Sequence, residues 1–408
     1  VLRGGYGIFY DGLFTNILDN TASSSPNAFG GSIVGGVQNN GRGQDHAQAQ
    51  LGAIVGTPDP MAIIDTMSNK LLNPYTQQWN LDVQRALPGS LVLTVAYVGT
   101  RGEKLFANQD YNGATGFDAF GNYTRLNPNF NELVVRNNAG DSWYNAGEVQ
   151  LERSFHGSFL MRASYTYSKF TDDVSEVFTT TGGSSFAQTL NCQKCDWGAS
   201  GLDRRQRFVF SYVWALPYSR SNWMFKALTD RWQWSSITSF DSGAPDTVYD
   251  GLDVNEDGHS GNDRPFVGTA SLPITATGID GSYIGLTPGS LYSLPTCVYG
   301  PGPCTAEPAS AFRFYIPGQA PGLVGPVGRN SLFGPGQIYS DQSIERRFPI
   351  PIGKLEHQAL TFRTEFFNAF NHPNLFTPTY NLISPIYAQT APTVNGGRVI
   401  KFWLIYDF

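Results

Sequence analysis

The run Asp253-Val254-Asn255-Glu256-Asp257-Gly258 places oxygen donors at alternate positions and then a glycine for a sharp turn. That is the first half of a calcium-binding loop. Calcium takes roughly six to eight oxygens. Asp253, Asn255, Asp257 and a backbone carbonyl near His259 would supply part of that set. The closing bidentate acid is missing: the twelfth position is Arg264, and Asp263 falls one residue early. An EF-hand is therefore not supported. Two readings stay open, a single-loop Ca2+ staple within 253–264 that steadies a long loop, and an acidic solvated turn.

The four cysteines form two close pairs, Cys192/Cys195 and Cys297/Cys304, in Gly-, Ser- and Pro-rich surroundings. Two local disulfides made in an oxidising compartment are the plain expectation. A zinc site would need ligands from both distant loops, and no histidine lies near either pair. A redox Cys-x-x-Cys needs a βαβ setting that this sequence lacks. Nucleophilic catalysis finds no support either. His46, His156, His259, His357 and His372 are scattered, and no Gly-x-Ser-x-Gly or His-Glu-x-x-His occurs. Glu148, Gln150 and Glu152 share one strand face, as do Asp341, Ser343 and Glu345. Such carboxylates could serve a glycosidase, but in a barrel they are the wet wall of the lumen, which is the preferred reading. No enzyme is expected.

The elements that carry these residues follow from the composition of the chain. Of 408 residues, 45 are Gly, 28 Phe, 20 Tyr and 8 Trp, while only 15% are charged. No apolar run approaches the roughly 20 residues of a membrane helix; the longest, Leu91–Val98, is interrupted by Thr94. The net charge of −6, without any Lys/Arg block, gives no footprint for nucleic acid.

Ten segments show a two-residue period: Arg3–Tyr10, Tyr75–Arg85, Leu91–Gly99, Tyr144–Phe155, Ser158–Lys169, Arg205–Ala215, Arg231–Phe240, Gln337–Phe348, Gln358–Phe370 and Arg398–Phe408. In Arg205–Ala215, Phe208, Phe210, Tyr212 and Trp214 share a face opposite Arg207, Val209, Ser211 and Val213. Segments of 8–13 residues exceed the usual soluble strand of about 5–6, and aromatics gather at their ends as in interfacial girdles. The connections alternate long and short without exception. The long ones are Asp11–Pro74, Thr100–Trp143, Phe170–Arg204, Asp241–Gly336 and Asn371–Gly397; the short ones include Ala86–Ser90 and His156-Gly157. A meander of this kind puts every long loop on one side, as outer-membrane barrels do. Helical turns in a long loop, for example around Asp59–Lys70, fit the same scheme. An all-β, antiparallel transmembrane barrel is the expected fold, with the outer-membrane lipid as its first partner. The terminal strand presents Ile400, Phe402, Leu404, Tyr406 and Phe408 on one greasy side.

Several strings resemble TonB-dependent receptors of the Oar-like branch. They are Gly4-Gly5-Tyr6-Gly7-Ile8-Phe9-Tyr10-Asp11, Asn73-Pro74-Tyr75-Thr76-Gln77-Gln78-Trp79-Asn80, Ala96-Tyr97-Val98-Gly99-Thr100-Arg101-Gly102, Asp203-Arg204-Arg205-Gln206-Arg207-Phe208, Gly328-Arg329-Asn330-Ser331 and Glu365-Phe366-Phe367-Asn368-Ala369-Phe370-Asn371-His372-Pro373. The resemblance implies that residues 1–408 are the C-terminal portion of one barrel of about 22 strands, with the regulatory-like domain, plug and first strands lying upstream. It further implies import of a solute (an oligosaccharide, a peptide or a chelate) with energy from TonB, acting through those upstream regions. Phe402, Leu404, Tyr406 and Phe408 would be the assembly signal for the barrel-insertion machinery. A surface adhesin, a secretion-related barrel and a passive porin are the rival functions.

Overall fold

The structure is a computed structural model that describes residues 1–23, 63–156, 158–178, 185–190, 192–216, 232–279, 308–350, 358–390 and 393–407. Cys297, Cys304, His46, His357 and Phe408 lie outside the described residues.

Ten long strands carry the fold: β1 (Leu2–Tyr10), β2 (Tyr75–Leu87), β3 (Leu91–Asp110), β4 (Leu133–His156), β5 (Phe159–Asp172), β6 (Gln206–Ala215), β7 (Trp232–Asp241), β8 (Gln337–Pro349), β9 (Ala359–Phe367) and β10 (Val399–Asp407). Each pairs antiparallel with its neighbour in sequence, so the sheet is a meander running from β1 to β10. The short strands Ile64–Met67 and Gly198–Ala199 join the same sheet alongside β4 and β5. The sheet is open between β1 and β10 and curves as part of a barrel. Consecutive antiparallel pairing places all long connections at one end of the sheet and all short ones at the other. The β2–β3 turn is tight because Gly89 (φ 79°) and Ser90 (φ 60°) both take left-handed backbone conformations.

Register decides which side chains share a face. Val83, Val95, Val149, Tyr165, Phe208, Phe240 and Ile338 are successive cross-strand partners and form one apolar row across seven strands. The row on β9 and β10 continues this face with Phe362 opposite Leu404 and Phe366 opposite Ile400. No described segment packs over it. Leu81, Val83, Phe402 and Leu404 are 52%, 51%, 69% and 70% exposed. In water, roughly 25 cal/mol per Å2 of such apolar surface would oppose the fold. In hydrocarbon the same surface costs nothing, and the ladder pairs the backbone groups that face one another across neighbouring strands. Aromatic pairs mark both rims: Tyr10–Tyr75 (5.6 Å) and Trp79–Trp143 (6.0 Å) at the long-loop end, Tyr212–Trp234 (5.6 Å) and Trp214–Trp234 (6.4 Å) at the short-turn end. Gly99 is required here. Its partner Trp79 lies across it, and a Cβ there would come within 2.2 Å of the indole.

The core of the chain is in the loops. Val248, Leu252, Val254, Phe314, Ile316, Val327, Tyr380, Leu382 and Tyr387 form the main buried apolar cluster among the described residues. All come from connections 242–336 and 368–398.

One expectation needs correction. The segment Thr100–Trp143 is not all loop. β3 and β4 stay paired through Asp110 and from Leu133, with a bulge around Gly102–Ala107 where Lys104 has φ 56°. Above the hydrocarbon a strand has no need of one greasy face, so pairing persists after the alternation stops. Of the stretch Asp59–Lys70, offered as one example of helical turns in a long loop, the described residues from 63 onward carry the strand Ile64–Met67, which pairs parallel with Leu133–Arg136 and buries Ile64; among the described residues the α-helix lies at Thr15–Ser23 and buries Ile17.

An arginine at position 402, near the middle of the greasy face, should cost about 2–4 kcal/mol. Phe402→Arg should therefore lower the yield of heat-modifiable folded protein. Trp403→Arg, on the opposite face and beside Glu365, should leave the yield near wild type. Equal behaviour of the two variants in a urea-unfolding assay would contradict the assigned faces.

Candidate functional site in the outer loops

Opposite the apolar face runs a continuous polar wall. Arg3 pairs with Asp82 (3.6 Å), Gln84 donates to Thr94 (3.4 Å), and Gln150 donates to Glu152, which pairs with Arg162 (3.2 Å). On the other half of the sheet, Arg207 pairs with Asp241 (3.2 Å), Gln233 donates to Glu345 (3.2 Å), Arg363 pairs with Glu345 (2.8 Å), and the Trp403 indole donates to Glu365 (2.8 Å). Glu148, Gln150 and Glu152 lie on this wall, as do Asp341, Ser343 and Glu345. The carboxylates of Glu152 and Glu345 are matched by guanidinium groups, and Asp341 accepts the Asn368 backbone N–H (2.9 Å). The wall is suited to hydrating a passage and ordering polar solutes along it.

Above the wall the long connections pack into a cap, and arginines hold it together. Arg329 donates through Nε to the Asp196 carbonyl (2.8 Å) and through Nη1 to Ser175 Oγ (3.0 Å), and its Nη2 pairs with Asp172. Arg264 pairs with Asp196 (2.8 Å), with both side chains buried. Asp203, fully buried, accepts the Phe170 N–H (2.8 Å) and pairs with Arg205 (2.8 Å). Asn374 uses both ends of its side-chain amide on the backbone of Ile338, at 2.7 and 2.9 Å, and so continues the edge of β8 where no strand follows. Cys192 and Cys195 are bonded to each other around the short turn Gln193–Asp196 that presents Asp196 to both arginines.

The Asp253–Gly258 run sits within this cap. Asp253 accepts the Asp257 N–H (3.1 Å), the Gly258 N–H (2.8 Å) and the Tyr123 hydroxyl (2.6 Å); Asn255 Oδ1 accepts the Asp257 N–H (2.9 Å). The turn is thus formed as its spacing predicts. Among the described residues, however, no three His, Cys, Asp or Glu side chains meet at one metal-ligating point. Next to it, His259 contacts Asp110 through Nε2 (3.1 Å), and Arg125 reaches the same carboxylate (3.7 Å). Burial pulls the His259 imidazole down, but the Asp110 hydrogen bond and the charges of Glu132 and Asp257 outweigh it, so its pKa is raised. A cleft of about 340 Å3 opens beside this clasp, lined among others by Tyr111, Leu126, Gln188, Leu190, Asn255 and Asp257. Spacing alone could not have found Asp110, Arg125, Arg329 or the cleft, because their partners lie up to 157 residues away. Gly328-Arg329-Asn330-Ser331 was singled out only by family likeness.

Phe402, Leu404 and Tyr406 share the apolar face of β10, as alternation requires. Truncating Arg329 to Ala should leave Asp172 buried without its partner, at a cost of about 3–5 kcal/mol to the cap. Limited proteolysis should then nick the outer loops while the strands keep their heat-modifiable mobility.

In sequence, residues 1–401 match the family described as "Outer membrane beta barrel domain". No match is found among curated proteins. Among solved structures the chain is similar to the outer membrane transporter YddB of Escherichia coli, at 9% identity and TM-score 0.46, over 99% of this chain and 38% of that one. It is also similar to the ferric-catecholate import receptor Fiu of E. coli K12, at 11% identity and TM-score 0.38, over 99% of this chain and 32% of that one. A third similar structure is FpvA of P. aeruginosa bound to a heterologous pyoverdine, at 10% identity and TM-score 0.37, over 82% of this chain and 28% of that one. The chain spans about a third of the length of these structures. On the family match and the lipid-facing sheet together, the chain belongs to the outer membrane β-barrel domain family and resides in the outer membrane of a Gram-negative bacterium.

Proposed function

We propose that this chain is part of a TonB-dependent receptor of the Oar-like type, which captures a polar solute at its outer loops and imports it with energy from TonB. The observation that carries this reading is the vertical arrangement. A loop cap with its own buried core holds a cleft lined by Tyr111, Leu126, Gln188, Leu190 and Asn255, and below it a charged, hydrogen-bonded wall lines the inner face of the sheet. A cap over a hydrated wall suits staged transfer of one solute better than a permanently open passage. Aromatic and amide groups at the cleft fit an oligosaccharide, a peptide or a chelate, through stacking and hydrogen bonds. TonB would act through regions upstream of this chain. The terminal strand face of Phe402, Leu404, Tyr406 and Phe408 would be recognised by the barrel-insertion machinery.

The test is uptake by cells carrying the intact receptor. Accumulation of the solute should stop on deletion of TonB or addition of a protonophore, while surface binding persists. Tyr111→Ala combined with Leu126→Ala at the cleft mouth should weaken that binding about 10-fold, or about 1.4 kcal/mol. Binding without TonB-dependent accumulation would favour an adhesin. Steady single-channel conductance in planar bilayers would favour a porin.

A further inference from the structure

Within the cap, residues 250–263 contain four aspartates: Asp250, Asp253, Asp257 and Asp263. Asp250 and Asp263 are 0% and 1% exposed. Both carboxylate oxygens of Asp250, Oδ1 of Asp263 and Oδ1 of the adjoining, equally buried Asn262 have no hydrogen-bond partner among the described residues. Their placement is not random. Asp263 Oδ2 accepts the backbone N–H groups of Val254 and Asn255, which aims its carboxylate into the Asp253–Gly258 turn. The Asp250 N–H donates to the Asp263 carbonyl (2.9 Å), which ties the two aspartates together.

Buried carboxylates need a counter-charge or a proton, and the neighbouring cations are committed elsewhere. Arg264 pairs with Asp196, while Arg125 and His259 both go to Asp110. None of the four aspartates takes part in an ion pair among the described residues. Carboxylate and amide oxygens buried with neither a hydrogen-bond donor nor a cation beside them are the ones that gain most from a divalent ion.

We propose that this cluster is a Ca2+ site, with Asp250, Asp257 and Asp263 as its carboxylate ligands, the Asn262 amide oxygen beside them, and Asp253 fixing the turn through Gly258. All donors are oxygens, which selects a hard cation, and their irregular spacing suits the flexible coordination of Ca2+ rather than the strict octahedron of Mg2+. Among the described residues these three carboxylates do not already meet at one metal-ligating point, so binding would require them to close on the ion. The site lies beside the cleft, and its existence does not depend on what solute the loops take.

The test uses the intact protein in detergent micelles, stripped with a chelator and then titrated with CaCl2 by calorimetry. Saturable binding with a Kd of roughly 10⁻⁵–10⁻³ M is expected. Tb3+ added in place of Ca2+ should give luminescence sensitised by Tyr123, whose hydroxyl reaches Asp253 (2.6 Å), and excess Ca2+ should quench it. Asp250→Asn with Asp263→Asn should lose binding at least 10-fold while the barrel stays heat-modifiable; Asp257→Asn serves if the double variant does not fold. Chelation of the wild type should speed tryptic cleavage of the outer loops, and Ca2+ should reverse it. Absence of saturable binding by the wild type up to about 10 mM, or unchanged binding by a folded variant, would overturn the proposal in favour of a proton shared between Asp250 and Asp263.

Discussion

Hydrocarbon offers a backbone no hydrogen-bond partners, and the architecture of this chain follows from that constraint. The meander pairs each long strand with its neighbours in sequence, so N–H and C=O groups within the sheet satisfy one another, and only the two edge strands present open sides. Once the ladder is fixed, side chains sort themselves by the solvent on each face. Val83, Val95, Val149, Tyr165 and Phe240 of the apolar row stand exposed, whereas the row through Glu152, Arg162, Glu345 and Arg363 is linked by ion pairs. A soluble sandwich built from the same strands would have to bury the first row against a second sheet. Here the main buried apolar cluster among the described residues lies in the loops.

The chain therefore uses two stabilising strategies. In the sheet, geometry and the surrounding lipid do the work, and side-chain packing is sparse. In the cap, long irregular segments are held by a small apolar core and by a few buried arginines, each satisfying carbonyls or carboxylates from more than one loop. Long loops lose conformational entropy on ordering, and cross-links of this kind offset it at a few points. The disulfide between Cys192 and Cys195 belongs to the same system, because it constrains the turn that offers Asp196 to Arg264 and Arg329.

The strands were legible because alternation is a local property. Phe208, Phe210, Tyr212 and Trp214 announce a lipid-facing side without reference to any other part of the chain. The upper halves of β3 and β4 were not legible, since above the lipid Ala107–Asp110 and Leu133–Arg136 are chosen for loop packing and carry no two-residue signal. The acidic turn was readable as Asp253, Asn255 and Asp257, but Asp250 and Asp263 fall outside its spacing and gain meaning only from burial. Contacts such as Arg329 with Asp172 join distant residues, and no local pattern encodes them.

The paired extension of β3 and β4 through Asp110 and Leu133 has a further consequence. Eleven residues beyond Gly99, at about 3.3 Å each and with the tilt usual for such strands, form a stalk on the order of 25 Å tall. The cleft beside Asp110 therefore stands at the top of that stalk, away from the apolar rows of the sheet.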